Sequence, residues 1–116
     1  MPVQIIKKSE GIARKISENY KVTNFLTKDS SKNVSLAVSE AKNHSETTKN
    51  IRSDRVYYVL EGKLVVKKNG KKFVAKQGDT IFIPKNMEYH FEGTFRAVLI
   101  NSPAFSQQDE RISKSQ

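Results

Sequence analysis

The side chains best suited to chemistry are two histidines and a neighbouring carboxylate. His44 and Glu46 are separated by one residue, so on a β-strand both would lie on the same face. His90 is the other of the two histidines in the chain. Two imidazoles and one carboxylate are the ligand set of many iron oxygenases. One interpretation is therefore a metal site formed by His44, Glu46 and His90, although a lone histidine is more often a surface residue.

Catalysis without a metal would need a base from a short list of side chains. The candidates are His44, Glu46, Glu61, His90 or a tyrosine. Tyr89 and His90 are adjacent, so in a regular strand they cannot both face one substrate. The chain has no Ser-His-Asp order, P-loop or glycine-rich dinucleotide turn, which excludes those enzyme classes at the level of motifs.

The middle of the chain predicts an antiparallel ladder that would position these groups. Residues 53–62 are β-branched and aromatic and close on a glycine, which predicts a buried strand followed by a tight turn. Residues 63–68 and 71–76 flank Asn69-Gly70, the pair that a two-residue hairpin requires. A further apolar strand is expected at residues 80–83.

The flanking segments are less regular. The spacing of Ile12, Ala13 and Ile16 predicts a short helix within residues 3–19. Alternation of apolar and polar or small residues predicts further strands, at residues 20–26, 34–39, 88–91 and 94–100. Residues 42–53 are very polar and are expected to form a loop or an irregular strand that faces water or a pocket.

These elements predict an all-β fold, a sandwich or barrel, with a short N-terminal helical or irregular segment. We divide the chain into an N-terminal arm with the first strand (1–32), a barrel core (33–105) and a polar C-terminal tail (106–116). The tail holds little apolar surface, and we expect it to be frayed.

Composition limits the remaining classes. The chain has 116 residues, which suits one domain. The absence of cysteine excludes disulfides and thiolate metal sites, and no apolar run reaches the roughly 20 residues of a spanning helix. We expect a soluble, cytoplasmic protein with no secretory signal and no membrane partner. The net charge of +9 is spread along the whole chain, so we interpret it as edge protection and solubility, and nucleic acid is not the expected partner.

Two segments resemble the sequence motifs of the cupin family. Residues 54–62 are similar to the end of the first motif, in which a Tyr-Val-Leu-Glu-Gly strand closes on a glycine. Residues 78–84, Gly-Asp-Thr-Ile-Phe-Ile-Pro, are similar to the start of the second. The resemblance covers roughly residues 33–110. It implies a double-stranded β-helix, the cupin jelly-roll barrel, and a homodimer.

The metal-ligand positions that the resemblance implies hold other residues in this chain. The paired histidine positions fall on or near Thr48 and Asn50, the glutamate position on Arg55 and the last histidine position on Tyr89. A guanidinium offers only donors and stays charged, so Arg55 would repel a cation. We therefore expect no metal and no other cofactor. Asn86 stands where a glycine is usual, and asparagine tolerates the left-handed backbone.

The resemblance places Arg55 and Tyr57 inside the barrel, where a guanidinium needs an anionic partner. Our main hypothesis is a pocket that binds a small polar molecule, a carboxylate, phosphate or sugar derivative, with Arg55, Tyr57, Tyr89, Thr48 and Asn50 as its ligand-binding residues. The alternative is that Arg55 pairs with an internal carboxylate such as Glu46 or Glu61 and the cavity is filled. A cupin enzyme (a metal-dependent oxygenase or isomerase, or a metal-free sugar isomerase or epimerase) is the second functional class, and a structural or accessory dimeric module is the third.

Overall fold

Alternating side chains along most of the chain produce eight strands. The computed structural model describes residues 3–113, and in this range the only helical pieces are two three-residue 3-10 turns, Lys8–Glu10 and Gln107–Asp109. The strands are β1 (Ile12–Ser17), β2 (Tyr20–Leu26), β3 (Ser35–Asn50), β4 (Asp54–Lys68), β5 (Lys71–Lys76), β6 (Thr80–Ile83), β7 (Tyr89–Ser102) and β8 (Glu110–Ser113). The all-β prediction is confirmed.

The strands form one antiparallel sheet in the order β1-β2-β3-β7-β4-β5. The long strand β7 lies between β3 and β4, and it pairs with β3 from Ser35 to Thr48 and with β4 from Asp54 to Lys67. Strand β6 pairs with the first half of β4, and β8 pairs with the last residues of β3. The polar end of β3 is therefore enclosed by β7 on one side and β8 on the other.

The predicted hairpin at Asn69-Gly70 is present, with φ of 51° and 77° at its two residues. The tight turn expected after residue 62 is wrong, because β4 continues through Gly62 as one strand of 15 residues. Gly62 has φ +80°, and an added Cβ would lie 2.2 Å from the backbone oxygen of Thr94. Glycine here lets the strand bend while both halves stay paired with β7. Asn86 adopts φ 63°, the left-handed backbone that its position suggested.

Two other expectations about the ends of the chain are wrong. Residues 12–17 form strand β1 and not a helix, because pairing with β2 satisfies their backbone groups. Ile12 and Ile16 are four residues apart, a spacing that fits one face of a strand as well as one face of a helix. The tail is not frayed over residues 107–113, because β8 pairs with β3 from Thr47 to Asn50.

The barrel interior combines a large aromatic core with a wall of small residues. Tyr57, Tyr89, Phe91 and Leu64 are among the largest fully buried side chains. On β3 the small residues (Ser35, Ala37 and Ser39) face inward, whereas Leu36 and Val38 are only partly buried. This inversion of the usual pattern leaves open space inside the barrel beside β3. Within residues 3–113 no helix is long and apolar enough to cross a membrane.

Candidate functional site

A cavity of about 420 Å³ opens inside the barrel. Its wall is formed by side chains of β1, β2, β3, β4 and β7 and of the C-terminal segment that includes Glu110. Volumes of this size are typical of small-molecule sites. The cavity lies where the small residues of β3 leave room.

Arg55 makes four side-chain hydrogen bonds in this cavity. Its residue is 4% exposed, so the prediction that it lies inside the barrel is confirmed. Its Nε donates to Asn101 Oδ1 at 3.0 Å, and Nη1 donates to Tyr89 Oη at 2.9 Å. Nη1 and Nη2 both donate to the carboxylate of Glu110, at 3.0 and 2.8 Å. The internal partner is therefore Glu110 of β8, and not Glu46 or Glu61.

Glu110 accepts from three side chains in all. Besides Arg55, the Thr48 hydroxyl and the Asn50 amide donate to it. Burial by itself raises the pKa of Glu110, but the charge of Arg55 and these hydrogen bonds outweigh it, so the pKa lies below its usual value. Glu110 is thus an ionised carboxylate held inside the barrel.

The four positions at which the cupin resemblance implies metal ligands converge on this carboxylate. Thr48, Asn50 and Arg55 donate to Glu110, and Tyr89 contacts Arg55. The set consists of hydrogen-bond donors around an anion, whereas a divalent cation requires lone-pair donors around a cation. Among residues 3–113 no group of three or more His, Cys, Asp or Glu side chains could hold a metal ion. These residues do not fit a metal.

The hydroxyl of Tyr57, which lines the cavity, contacts the hydroxyl of Tyr89. Tyr57 Oη and Tyr89 Oη lie 2.7 Å apart, and both residues are almost completely buried. Burial is the main cause that raises the pKa of each phenol above its usual value. Both side chains are therefore neutral hydroxyls at physiological pH, able to donate a hydrogen bond.

His44 and Glu46 form a pair beside the cavity, as the sequence predicted for one strand face. His44 Nε2 and Glu46 Oε1 lie 3.0 Å apart, and each side chain is 10% exposed. The His44 ring stacks on Tyr20 with centroids 4.6 Å apart and an interplanar angle of 5°. Burial raises the pKa of Glu46 more than the hydrogen bond and charge of His44 lower it. Glu46 itself lines the cavity, with His44 behind it.

His90 does not join this pair. Its ring contacts Thr47 Oγ1 at 3.1 Å and Glu92 Oε1 at 3.1 Å, away from the cavity. Its neighbour Tyr89 points inward, as the parity of a regular strand requires. The structure therefore does not bring His44, Glu46 and His90 together, and the metal site proposed for them is not formed.

Sequence reasoning grouped Thr48, Asn50, Arg55, Tyr57 and Tyr89 as ligand-binding residues, which stays a prediction; all five are buried, and of them only Thr48, Arg55 and Tyr57 line the cavity. It missed the residues that other strands bring to the same place: Arg14, Tyr20, Asn101 and Glu110. The one available signal for Glu110 was the need of an internal arginine for a carboxylate. Local patterns gave no way to choose among the carboxylates of the chain.

Solved structures of known proteins confirm the cupin barrel. The uridine-bound structure of a Streptomyces PAC13 variant with a tyrosine-to-phenylalanine substitution superimposes with a TM-score of 0.84 at 26% identity, over 98% of this chain and 93% of that one. A further PAC13 structure, at 24% identity, is described as a unique nucleoside dehydratase. Ethanolamine utilization protein Q from Salmonella typhimurium LT2 matches with a TM-score of 0.68 at 28% identity, over 74% of this chain and 71% of that one.

Sequence comparison points to the same group. An uncharacterized protein of Methanocaldococcus jannaschii is 31% identical over 68 residues, and the match spans 55% of this chain and about half, 54%, of that relative. The family model described as ethanolamine utilisation protein EutQ matches residues 3–105, which leaves Glu110 outside the matched range. Because that match covers most of the chain, the protein belongs to the EutQ family of cupin-fold proteins.

Proposed function

We propose that the barrel binds a small polar molecule of nucleoside size and performs metal-free acid–base chemistry on it. The cavity of about 420 Å³ falls within the range that encloses small ligands. The uridine complex of PAC13, which shares the fold over nearly the whole chain, supports a nucleoside as the ligand class.

The observation that carries this proposal is the His44–Glu46 pair. Glu46 is a carboxyl group in the cavity wall whose pKa is raised by burial, which brings its proton exchange closer to neutral pH. His44 contacts one of its oxygens at 3.0 Å, and no side chain of the described residues hydrogen-bonds to the other. A carboxylate placed in this way can remove a proton from a carbon atom of the ligand. His44 acts through Glu46 and is a positioning residue.

Fixed donors lie in the wall of the same cavity. Arg55 and Tyr57 line the cavity, and hydrogen bonds through the Tyr89 hydroxyl join them in one network that holds their orientation. A hydroxyl donor held in this way, here that of Tyr57, stabilises negative charge that develops on a ligand oxygen.

The balanced reaction that suits this set is elimination of water. Glu46 takes a proton from carbon, the C–H electron pair forms the new double bond, and the C–O bond to a neighbouring hydroxyl breaks. Tyr57 supplies a proton to that hydroxyl, which leaves as water. Proton exchange through solvent then deprotonates Glu46 and reprotonates the Tyr57 phenolate, so both side chains return to their starting states. Isomerisation would use the same first step, with the proton returned to a different carbon.

Arg55 enters this proposal as part of the wall and not as the anion site. Four of the five N–H donors of a guanidinium are used here, by Asn101, Tyr89 and Glu110. An anionic ligand at Arg55 would have to displace Glu110. Direct binding of an anion by Arg55 stays a prediction with this added cost.

The proposed chemistry can be tested by deuterium exchange. The protein is incubated in D2O with a panel of nucleosides and oxidised nucleosides, and mass spectrometry follows C–H exchange and loss of water. Glu46→Gln should abolish both, and His44→Gln should slow them and shift their pH profile. Glu92→Gln is the matched control, because the His90–Glu92 pair has nearly the same spacing, 3.1 Å, outside the cavity. Equal exchange by wild type and Glu46→Gln would contradict the proposal.

We also propose that two copies of the chain pair through the outer face of the barrel. Tyr58 and Phe82 are 43% and 59% exposed. Phe82 is directly opposite Val56 in the β4–β6 pairing, and Val56 is opposite Ile100 of β7, so apolar side chains extend across three strands. Exposed apolar patches of this kind mark interaction sites. Phe82→Lys should convert a dimer to a monomer in sedimentation, whereas a monomeric wild type would refute the idea.

A further inference from the structure

Two polar atoms in the cavity wall have no hydrogen-bond partner among the described residues. They are Nδ2 of Asn101 and Nε of Arg14. Both residues line the same cavity. Buried polar groups are nearly always hydrogen-bonded in folded proteins, so two unused donors in one wall indicate where a ligand makes its contacts.

The orientation of the Asn101 amide is fixed by its neighbour. Arg55 Nε donates to one amide atom at 3.0 Å, and that atom must be the oxygen because a guanidinium cannot accept. The other amide atom is therefore the NH2 group. Asn101 is only 1% exposed, so this donor lies deep in the barrel. A ligand group that reaches it must be a hydrogen-bond acceptor.

Arg14 lies nearer the solvent side of the cavity. It is half-buried on β1, and its guanidinium lies 5.6 Å from the centroid of the Phe105 ring. No carboxylate of the described residues lies within salt-bridge distance of it, unlike the paired Arg55 and Arg96. Stacking on an aromatic face pre-orders the guanidinium without neutralising its charge.

We propose that the barrel's ligand carries an anionic group, a phosphate or carboxylate, that Arg14 binds, and a hydrogen-bond acceptor that Asn101 Nδ2 binds at depth. The proposal rests on the nucleoside-sized ligand proposed above and defines its charge. It assigns the anion to Arg14, whose charge is free, and leaves Arg55 paired with Glu110. Lys15, the next residue on β1, also lines the cavity, but it is exposed and pairs with Glu18 at 3.6 Å, so Arg14 is the cation assigned to the anion.

The test compares the affinities of three probes by calorimetry: uridine, uridine 5′-monophosphate and uridine 5′-carboxylate. We expect at least one anionic probe to bind about tenfold or more tighter than uridine, the gain typical of a charge-assisted hydrogen bond. Arg14→Met should remove this advantage of the anionic probes over uridine, and methionine keeps an apolar stem beside Phe105. Arg52→Met, at an exposed arginine outside the cavity wall, is the matched control and should change nothing.

Asn101→Asp tests the deep donor. Aspartate keeps the acceptor for Arg55 Nε but replaces the NH2 group with an oxygen, and uridine is neutral, so the added charge has little Coulomb effect on it. We expect uridine affinity to fall by about tenfold or more, with folding checked by thermal melting.

The outcomes separate the two proposals. If uridine binds as tightly as both anionic probes, or if Arg14→Met keeps the preference, the assignment of the anion to Arg14 is wrong and the nucleoside site stands. If Asn101→Asp binds uridine like wild type, the deep acceptor contact is wrong. If none of the three probes binds, the nucleoside proposal fails, and this inference fails with it.

Discussion

Removing the charge of Arg55 tests whether the Arg55–Glu110 pair organises the barrel interior. In Arg55→Met the carboxylate of Glu110, whose side chain is 10% exposed, keeps only the Thr48 hydroxyl and the Asn50 amide as donors. Breaking one side of a buried ion pair costs about 3–5 kcal/mol in the free energy of unfolding. For a domain of this size that corresponds to a fall in Tm of about 10–30 °C.

The double variant Arg55→Met/Glu110→Met distinguishes the cost of an unpaired buried charge from the cost of lost side-chain packing. Removing both charges leaves no unpaired ion, so its stability should lie within about 1–2 kcal/mol of wild type and well above that of Arg55→Met. The matched control is Arg96→Met, because Arg96 pairs with Glu61 at 3.7 Å with side chains 44% and 71% exposed. Exposed pairs of this kind contribute about 1 kcal/mol or less.

The assay is urea unfolding followed by circular dichroism, with the native spectrum of each variant checked first. A loss of less than about 1 kcal/mol in the free energy of unfolding of Arg55→Met would refute the reasoning. So would a double variant whose loss of stability equals the sum of the losses in the two single variants, because the two residues would then not interact. Either result would mean that the carboxylate is not buried against the guanidinium in solution.

Three further predictions concern pH and the backbone. Glu110 has a pKa below its ordinary value of 4.5, so its contribution to stability is present above about pH 4.5 and lost as pH falls through the folded-state pKa. The difference in free energy of unfolding between wild type and Glu110→Gln should therefore shrink on acidification. A difference that stays constant with pH would contradict this prediction. Glu46 has a raised pKa, so its contribution to stability is present below about pH 4.5 and lost as pH rises through the folded-state pKa. Glu46→Gln should therefore be more stable than wild type in thermal melts at pH 8 and equal to it near pH 4. A variant less stable than wild type at pH 8 would contradict the claim that burial of the ionised Glu46 carboxylate destabilises the fold. Gly62→Ala should cost about 2–4 kcal/mol in the free energy of unfolding by urea, because φ is +80° and the new Cβ meets the backbone oxygen of Thr94. Gly70→Ala has a similar φ of +77° but open space around it, so it should cost only about 1 kcal/mol. Equal losses in the two variants would refute the close approach of β4 and β7.

The strand ladder could be predicted from the sequence because its signals are local. Asn69-Gly70 specifies a hairpin through its backbone preference, and the apolar segments beside it have strand-like composition. The parity of a strand also placed Tyr89 inside and His90 outside correctly. The N-terminal helix was predicted wrongly because Ile12 and Ile16 fit both periodicities, and only pairing with β2 decides between them.

The candidate site was only partly predictable because its charges come together from distant segments. Arg55 and Glu110 are 55 residues apart, and the carboxylate reaches the barrel only because β8 pairs with the end of β3. A short polar segment such as residues 107–113 has no apolar face that would reveal this docking in advance. Asn101 and Arg14 were missed for a similar reason, since their unused donors become visible only when the surrounding partners are known.

A crystal structure of the protein with uridine tests the central claim most directly. We predict one uridine inside the barrel, with a ligand carbon facing Glu46 and a ligand acceptor within hydrogen-bond distance of Asn101 Nδ2, while Arg55 remains paired with Glu110. Uridine bound only outside the barrel, or no uridine at concentrations that saturate a weak site, would contradict the account.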